Sequence, residues 1–349
     1  MMATCASKIT EMSSTLLELN VRKSLTAVIP RAQRAKGLVV GVDGGGTGTR
    51  AVIMDEKQRV LGHGESGPSN PLRVGIAKAV SNVREAIDRA CAEAAVHRDD
   101  VSNATIGLAG VRRKDIHQCT LEKLNECLKE IRSIELLPDG EIALYGATDG
   151  EPGLVVIAGT GSICCGRNRQ GKKTCAGGWG PIVGDEGGAS WIARKALQAV
   201  AQGADGRGPA TAVSNAALKY FRVENADDLS TAIYSPTMTN DRLAGFAREV
   251  VRVARAGDVV AVEILEDAGR ELAAAAIAVI KKLRMEKDEF RVACVGGVYG
   301  AGDLLLNAMQ EQIRSVAKRA YLSQPLYPPV IAAARIAHAH LRDQYALAG

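Results

Sequence analysis

Apolar and polar residues alternate in short runs near the start of the chain, a pattern typical of β-strands. Apolar, β-branched runs are separated by glycines and by the polar turn 55–58, and stretches with apolar residues at helical spacing follow. This order predicts an antiparallel meander, a crossover helix, and then alternating strands and helices in one α/β domain. The predicted elements are strands at 38–43, 50–54 and 59–64, a helix at 75–95, a strand at 104–110, a helix at 114–129 and a strand at 134–137.

A second part of the chain repeats this pattern. Strands are predicted at 154–158 and 163–166, a third strand ends at 175–176, and small residues again fill the first turn. Long helices follow, interrupted by one strand at 291–295. Two similar halves, at 37–149 and 150–328, predict two domains that face each other across a cleft. The predicted helices of the second half lie at about 190–203, 209–220, 240–256, 259–283 and 302–317.

The first turn of each half is rich in small residues. Glycines tolerate positive φ and let backbone N–H groups approach a phosphate, while hydroxyls add donors. Asp43 would face the same phosphates, which requires a divalent cation between them. The alternative is an ordinary glycine-rich hairpin turn. The candidate phosphate-binding residues are Asp43, Gly44, Gly45, Gly46, Thr47 and Thr49 in the first half and Gly159, Thr160, Gly161 and Ser162 in the second.

Four polar or aromatic residues in turns are further candidates. Asp139 follows a predicted strand and could accept a proton from a hydroxyl, although Pro-Asp-Gly is also a common turn. In the segment 178–188 (GWGPIVGDEGG), Asp185 could contact a ligand or cap the helix that follows. Trp179 could form a wall of a ligand site, but a place in the hydrophobic core is favoured. For Asn70 a turn is favoured over a ligand contact.

Composition and charge exclude several functional classes. The 44 basic and 39 acidic residues give a net charge of +5, aromatic residues make up 3%, and the basic residues form no long stripe with interleaved aromatics, so no nucleic acid is expected as a partner. No uncharged apolar run approaches the roughly 18 to 20 residues that span a bilayer, so no membrane is expected either.

The eight cysteines contain no Cys-x-x-Cys pair. In a chain of 349 residues, this predicts reduced thiols and a cytoplasmic protein without a zinc or iron–sulfur site. Residues 1–36 are basic, poor in acids and without a core-forming period. A disordered extension or a misassigned start is expected there, with an organellar transit peptide as the alternative.

Taken together and in order, these segments resemble the N-acetylglucosamine kinase and benzoyl-CoA reductase ATPase-subunit family, within the superfamily of sugar kinases, actin and heat-shock ATPases. The resemblance runs from about residue 38 to 341. It rests on GVDGGGTGT as the first phosphate motif, IAGTGSI as the second, GGWGPIVGDEGG as the hallmark segment and CVGGV as the adenosine motif. It implies two ribonuclease H-like domains with a central cleft, the actin-like ATPase fold, in which a last helix at about 329–342 crosses back to the first domain.

The resemblance also implies chemistry. A sugar, most simply N-acetylglucosamine, would be phosphorylated from ATP with Mg²⁺ near Asp43, and Asp139 would be the catalytic base. Gly296 and Gly297 would lie at the adenosine, and a homodimer is expected. The residues implied to contact the sugar are Asn70, Asp139, Gly178, Trp179, Gly180 and Asp185.

The match also shows departures from the family pattern. Pro138 and Gly140 flank Asp139 where sugar kinases often carry Asn or Thr before the aspartate and Ala after it. Gly188 and Ser190 replace a more usual serine and aromatic residue, which keeps glucosamine or an unmodified hexose as alternatives. Two further functions stay open: an ATPase that drives electron transfer through an iron–sulfur cluster, and a sugar sensor without catalysis.

Overall fold

Two five-stranded sheets form the framework of the protein. The computed structural model describes residues 37–348, and the extension expected at residues 1–36 lies outside this range. In each sheet, a three-stranded antiparallel meander is extended by two parallel strands. The first sheet has the order β3-β2-β1-β4-β5, with β1 at Leu38–Gly44, β2 at Thr49–Met54, β3 at Val60–Ser66, β4 at Val101–Leu108 and β5 at Ser133–Pro138. The second has the order β10-β9-β6-β7-β8, with β6 at Gly153–Ala158, β7 at Ser162–Arg167, β8 at Lys173–Gly177, β9 at Phe290–Val295 and β10 at Ala320–Ser323.

Helices cover these sheets and connect their strands. Four belong to the first half of the chain: α1 at Pro71–Val74, α2 at Ile76–Glu93, α3 at Lys114–Cys127 and α4 at Asp139–Thr148. The others are α5 at Ala189–Ala204, α6 at Val213–Phe221, α7 at Ala226–Ile233, α8 at Asn240–Gly245, α9 at Ala247–Arg255, α10 at Val259–Leu283, α11 at Asp303–Val316 and α12 at Pro329–Ala348. Within residues 37–348, no helix has the length and apolar character needed to cross a bilayer.

Both faces of the first sheet are buried. Val40 and Val42 pack in one cluster with α2, whereas Val39 and Val52 pack on the opposite face against α12. Strands that are buried on both faces carry continuous apolar runs, which explains the sequence pattern of β1 and β2. The last helix of the chain therefore completes the core of the first sheet.

Helix α4 lies between the two sheets. Its residues Ala143, Leu144 and Ala147 pack against the second sheet at Val155 and Ala293, and its Ile142 packs against α12. The opposite face of the second sheet is covered by α10 and its neighbours. Helix α4 thus contacts both halves of the molecule, with Asp139 at one end and Thr148 at the other.

Only two crossovers join the halves within the described range, at 149–152 and 324–328. Asp149 ends α4 in a left-handed conformation, with φ of 53°. Its carboxylate accepts hydrogen bonds from Nε and Nη2 of Arg335 on α12 at 3.0 and 2.8 Å. The same guanidinium lies 4.3 Å from the ring centroid of Tyr327. These contacts tie both crossovers to the last helix.

The sequence pattern did not predict α4 or β10. Gly140 and Gly146 lower the helix propensity of 139–148, but Gly146 is needed because a Cβ there would lie 2.8 Å from the carbonyl oxygen of Tyr327. Strand β10 has only four residues and pairs with β9 far away in sequence. Tertiary contacts therefore determine that α4 and β10 form.

The prediction that the cysteines are reduced thiols is wrong for one pair. Cys165 and Cys175 form a disulfide between directly opposed positions of the antiparallel strands β7 and β8, with Cα atoms 4.1 Å apart. Cys164, beside Cys165, points to the opposite face and is buried in the core as a free thiol. The register of the β7–β8 hairpin brings the two bonded sulfurs together.

Candidate active site

The first glycine turn begins where β1 ends. Asp43 is opposite Arg50 on β2 and Gly107 on β4, so its carboxylate lies at the carboxyl edge of the first sheet. The Gly45 N–H donates to the Gly48 carbonyl oxygen at 3.0 Å, and the Gly45 carbonyl oxygen accepts from Ser69 at 3.0 Å. The loop before α1 thereby fixes the shape of the turn.

Glycines in this turn serve two different needs. A Cβ on Gly44 would lie 2.6 Å from Cδ2 of Leu108, so this position is closed by packing. A Cβ on Gly45 would meet no atom within 4 Å, so this glycine borders open space. Gly46 lies beneath the guanidinium of Arg73, and Thr47 is exposed. Gly45 and Thr47 are therefore free to face a ligand.

Thr49 does not match its expected role. Its side chain is 1% exposed, and its hydroxyl lies 2.7 Å from both the Gly67 carbonyl oxygen and the Ser69 hydroxyl. The hydroxyl is thus used to hold the loop after β3. The expectation that Thr49 donates to a phosphate does not fit these contacts.

The second glycine turn is held by the start of α5. The Gly159 carbonyl oxygen accepts from the Ala189 N–H at 2.9 Å, and the Thr160 carbonyl oxygen accepts from the Ser190 N–H at 3.0 Å. A Cβ on Gly161 would lie 2.5 Å from Cγ of Asp185, whereas one on Gly159 would meet nothing within 4 Å. This turn also combines one closed glycine, where a Cβ would clash with neighbouring atoms, and one open glycine, where a Cβ would meet no atom within 4 Å.

The two glycines after β9 continue this arrangement. Gly296 has φ of 121°, and a Cβ there would lie 2.6 Å from the carbonyl carbon of Ala158, directly before the second glycine turn. Gly297 has open space on its Cβ side. The structure therefore places Gly296 against the second turn and leaves room beside Gly297.

Asp139 is the first residue of α4 and follows β5, which lies beside β4. Its carboxylate accepts from the Gly140 N–H at 2.9 Å. The side chain is open to solvent in the cleft, yet protein atoms crowd around it; this desolvation raises the pKa of Asp139, while Gly140 and Arg112 act to lower it. A carboxylate with a raised pKa is a better proton acceptor than an ordinary aspartate.

Asp43 and Asp139 influence each other. Burial raises the pKa of Asp43 to about 6; the nearby charge of Arg50 opposes this rise, and that of Asp139 adds to it. Both side chains line one cavity of about 370 Å³ at the first glycine turn. Two carboxylates at the ends of β1 and β5, which lie on either side of β4, thus share one polar site.

Asp185 is buried, with 8% of its surface exposed, and has an unusual backbone conformation. Its φ of 59° lies in the left-handed region, which is uncommon for residues other than glycine and concentrates at functional sites. Its Oδ1 accepts from the Gly180 N–H at 3.3 Å. Burial raises the pKa of Asp185. The N-cap interpretation is wrong, because Gly188 occupies the N-cap of α5.

The segment around Trp179 is an exposed loop. Trp179 is 76% exposed, so the prediction that it lies in the core is wrong. Gly178 and Gly180 have φ of 72° and 88°, a range that allows a tight backbone path on either side of the tryptophan. A Cβ on Gly178 would lie 3.2 Å from Nη1 of Arg112, a residue of the first half. The loop therefore borders the cleft.

Asn70 has a local structural role. Its Oδ1 accepts from the Leu72 N–H at 3.0 Å and caps α1. The side chain also lies against Gly110, which has φ of 86°. This capping agrees with the favoured interpretation of Asn70 as a turn residue. The side-chain nitrogen of Asn70 forms no hydrogen bond with another described residue.

Sequence reasoning missed three charged residues at the cleft. Arg73 lies over Gly46 and forms an ion pair with Asp241 at 3.7 Å, and Thr160 donates to the same aspartate at 3.4 Å. Arg112 lies between Asp139 and Gly178. Each contact joins residues that are distant in sequence, so no local motif indicates them.

The residues fit a metal that is carried in with a phosphate ligand. Within residues 37–348, no three histidine, cysteine, aspartate or glutamate side chains cluster tightly enough to hold an ion by themselves. Mg²⁺ in nucleotide sites commonly uses one or two carboxylates together with phosphate oxygens and water. Asp43, beside the open Gly45, provides a carboxylate of this kind.

Comparisons with known proteins agree with this geometry. An N-acetylmuramic acid/N-acetylglucosamine kinase of Clostridium acetobutylicum is 34% identical over 74% of this chain and 85% of its own length. An N-acetyl-D-glucosamine kinase of Dictyostelium discoideum is 30% identical over 87% of this chain and 98% of its own. The solved structure of a protein assigned as an N-acetylglucosamine kinase from Chromobacterium violaceum superimposes with a TM-score of 0.72 at 27% identity, covering 86% and 98% of the two chains.

The prediction of an α/β actin-like ATPase fold with two facing halves is confirmed. The family model described as the BadF/BadG/BcrA/BcrD ATPase family matches residues 40–337, which include both glycine turns, Asp139 and the segment 178–188. The predicted resemblance is thereby confirmed as well. The chain belongs to the BadF/BadG/BcrA/BcrD ATPase family.

Proposed function

We propose that this protein is an ATP-dependent kinase of an amino sugar, with N-acetylglucosamine as the first substrate to test. One observation carries the proposal: Asp139 and Asp43 lie at the ends of strands in the same sheet and border one cavity at a glycine turn. A carboxylate base next to a phosphate-binding turn is the arrangement that phosphoryl transfer to a hydroxyl requires. The related sugar kinases support the choice of substrate class.

Asp139 is the proposed catalytic base. In this role it accepts the proton of a sugar hydroxyl as the hydroxyl oxygen attacks the γ-phosphorus of ATP. Its raised pKa suits a proton acceptor, and its bond from the Gly140 N–H fixes the carboxylate in one orientation. Asp139 thus acts as the base and also helps to position the attacking hydroxyl.

The two glycine turns are the proposed phosphate sites. Gly45 and Gly159 border open space on their Cβ sides, so phosphate oxygens can approach both turns from the two sides of the cleft. When bound with ATP, Mg²⁺ would neutralise phosphate charge, and Asp43 is the residue proposed to hold it. Gly296 and Gly297 are proposed to lie at the adenosine.

The proposed sugar contacts are Asn70, Asp139, Asp185 and the segment 178–180. Asp185 is buried beside the Gly180 N–H, and Trp179 is exposed in the same segment. The segment therefore offers polar groups and an aromatic face to a sugar ring. Gly188, one of the departures from the family, has a structural reason. A Cβ there would lie 2.7 Å from the carbonyl carbon of Gly161, so a serine does not fit without a shift of the second glycine turn.

The test measures ADP release with a panel of N-acetylglucosamine, glucosamine, glucose and N-acetylmannosamine. We expect sugar-dependent turnover that is highest with an amino sugar. Asp139→Asn should lower kcat by about 10²- to 10⁴-fold, the usual contribution of a general base. Glu141→Gln is the matched control, because Glu141 lies on the same helix but pairs with Lys173 at 2.6 Å.

Sugar-independent ATP hydrolysis would contradict the proposal and favour the electron-transfer ATPase. In this structure Cys164 and Cys294 are buried, and Cys165 and Cys175 are joined to each other. These positions offer no exposed pair of thiols for a cluster, which supports the kinase. Sugar binding without any turnover would instead favour the sensor.

Three further expectations remain part of this proposal. The bounds of the domains are proposed as 37–149 together with the helix at about 329–342, and 150–328. The homodimer is to be checked by light scattering during size-exclusion chromatography. The cytoplasmic location is to be checked by imaging of the tagged protein. Apart from these three expectations, the proposal of a small sugar as substrate is supported by the relatives.

A further inference from the structure

A cavity of about 600 Å³ lies at the junction of the two halves, away from the cleft. Gly150, Glu151 and Pro152 of the first crossover and Leu326 of the second line it, together with the edge of the second sheet. Its lining residue Pro152 directly precedes β6, whereas the second glycine turn follows the last residue of that strand. The strand has six residues, so the two sites are roughly 20 Å apart.

Strand register places a row of long side chains along this edge. Arg167 on β7 and Arg291 on β9 are both direct neighbours of Gly153, and Tyr321 on β10 is the direct neighbour of Arg291. Direct neighbours point to the same face of a sheet, so these three side chains share one face. Thr148 packs over Gly153 between the two arginines, since a Cβ on Gly153 would lie 2.8 Å from Cγ2 of Thr148.

The charges of this cavity are unbalanced toward cations. Arg167, Arg169 and Arg291 line it, and none forms an ion pair within 4.0 Å with another described residue. Two acids also line it: Glu151 is exposed, and Glu289 binds Arg319 at 2.6 Å. Lys173, the next cation in the row, is held by Glu141 outside the cavity. Two half-buried arginines therefore face the cavity without a carboxylate partner.

We propose that this hinge cavity is a binding site for a phosphate-bearing small molecule. Guanidinium groups form paired hydrogen bonds with phosphate oxygens, and Arg167 and Arg291 both line the cavity from the same face of the sheet. The Tyr321 hydroxyl, which has no hydrogen bond among the described residues, and its ring add a polar contact and an apolar surface. The cavity volume is within the usual range for sites that hold small molecules.

The site has a direct connection to the cleft. Thr148 lines the cavity and is the last residue of α4, and Asp139 is the first residue of the same ten-residue helix. Both crossovers also border the cavity, so a bound anion would contact the segments about which the halves rotate. Occupation of the hinge cavity should therefore alter the closure of the cleft.

Calorimetric titration tests the binding without any assay of the kinase reaction. N-acetylglucosamine 6-phosphate, AMP and inorganic phosphate serve as probes, with the full chain and with the double variant Arg167→Gln/Arg291→Gln. We expect the full chain to bind at least one probe, and the double variant to lose one binding event or weaken it at least tenfold. The double variant Arg252→Gln/Arg270→Gln is the control; it removes the same charge on α9 and α10, where each arginine is already paired, and should bind as the full chain does.

The probes also identify the ligand. For the binding event that the double variant loses, equal affinities of all three probes would show that the phosphate alone is recognised. Tighter binding of the sugar phosphate or of AMP in that event would show which group the Tyr321 side contacts. Equal binding of the probes by the full chain and the double variant would overturn the proposal. So would the absence of binding by the full chain at probe concentrations of about 10 mM, because any affinity weaker than this is negligible. Circular dichroism of the double variant checks that it is folded. The result stands independently of the sugar kinase proposal.

Discussion

The two sheets have the same strand order but opposite chemistry at their carboxyl edges. In the first sheet, Asp43 lies near the end of β1 and Asp139 follows β5, beside the first glycine turn. In the second, the corresponding edge carries Gly159 after β6 and Gly296 after β9, and the carbonyl groups of Gly159 and Thr160 are bonded to the start of α5. One framework thus presents a glycine turn with two carboxylates on one side of the cleft and a glycine turn without carboxylates at the strand ends on the other.

This difference explains why the cleft needs both halves. Carboxylates can accept a proton and hold a cation, but they repel phosphates; backbone N–H groups attract phosphates but cannot accept a proton. Burial raises the pKa of Asp43 and of Asp139, and for Asp43 the nearby charge of Asp139 adds to the rise. Four predictions test this division of roles, from the largest expected effect to the smallest.

Asp43→Asn should have the largest effect. If Asp43 holds the cation, we expect kcat/KM for ATP to fall by about 10³-fold or more. Stability should rise at the same time. The folded-state pKa of about 6 lies above the ordinary aspartate value of 3.8, so the charged form opposes folding above pH 6, and this cost disappears below pH 4.

Thermal unfolding measures this second effect. Because the pKa of Asp43 is raised to about 6, the variant should gain at most about 3 kcal/mol at pH 8, and the gain should vanish near pH 4. A variant that loses activity but is less stable than wild type at pH 8 would show that Asp43 contributes to folding.

Closed and open glycines should respond differently in both halves. Gly44→Ala and Gly161→Ala place a methyl group against Leu108 and Asp185, and each should lower the free energy of unfolding by about 1–3 kcal/mol. Gly45→Ala and Gly159→Ala meet no atom within 4 Å. They should change stability by less than about 1 kcal/mol but raise the KM for ATP by roughly tenfold, because they fill the phosphate site.

Denaturant titration and steady-state kinetics of the four variants check this prediction. An unchanged KM for ATP in Gly45→Ala would remove the first turn from the phosphate site, and an unchanged KM in Gly159→Ala would remove the second. The proposal that both halves bind phosphate would then be wrong for the half that contains that turn.

The pH dependence of kcat/KM should report Asp139. Because Asp139 must be deprotonated and its pKa is raised, activity should fall on the acid side from a pH above the ordinary value of an aspartate. Arg112 lowers the pKa of Asp139, so Arg112→Gln should move this acid limb to higher pH. An acid limb that stays in place in Arg112→Gln would show that another group controls it.

Asp241→Asn should have the smallest effect. The ion pair of Arg73 and Asp241 joins the halves across the cleft, but both side chains are about half exposed, so its loss should cost less than about 1 kcal/mol. Released from Asp241, Arg73 lies over Gly46 and can bind phosphate, so the KM for ATP should fall about two- to threefold. Glu266→Gln, which breaks an exposed pair on α10, is the control and should leave KM unchanged.

Local patterns predicted both glycine turns and every strand except β10, because burial on both faces and small residues in turns leave clear signals over a few positions. The strand β1 and the turn after it are examples. The role of Trp179 was not predictable, because its exposure depends on the path that Gly178 and Gly180 allow. The pair Arg73 and Asp241 is set by the packing of two halves that are distant in sequence.

The disulfide could have been inferred. Strands β7 and β8 were both predicted, and a hairpin centred on residue 170 pairs Arg167 with Lys173 and Cys165 with Cys175. Counting back from the turn therefore gives the pairing. Helix α4 offered no such route, because its glycines argue against a helix and its packing partners lie on α12 and the second sheet.

The return of α12 to the first sheet has a consequence for protein synthesis. Val39 and Val52 are made long before their packing partners Ala334 and Ala337. Gly41 shows how close this contact is, since a Cβ there would lie 2.6 Å from the carbonyl oxygen of Val330. A nascent chain therefore exposes this apolar face until α12 has been made, and a chain truncated before α12 should be a chaperone substrate rather than a folded half.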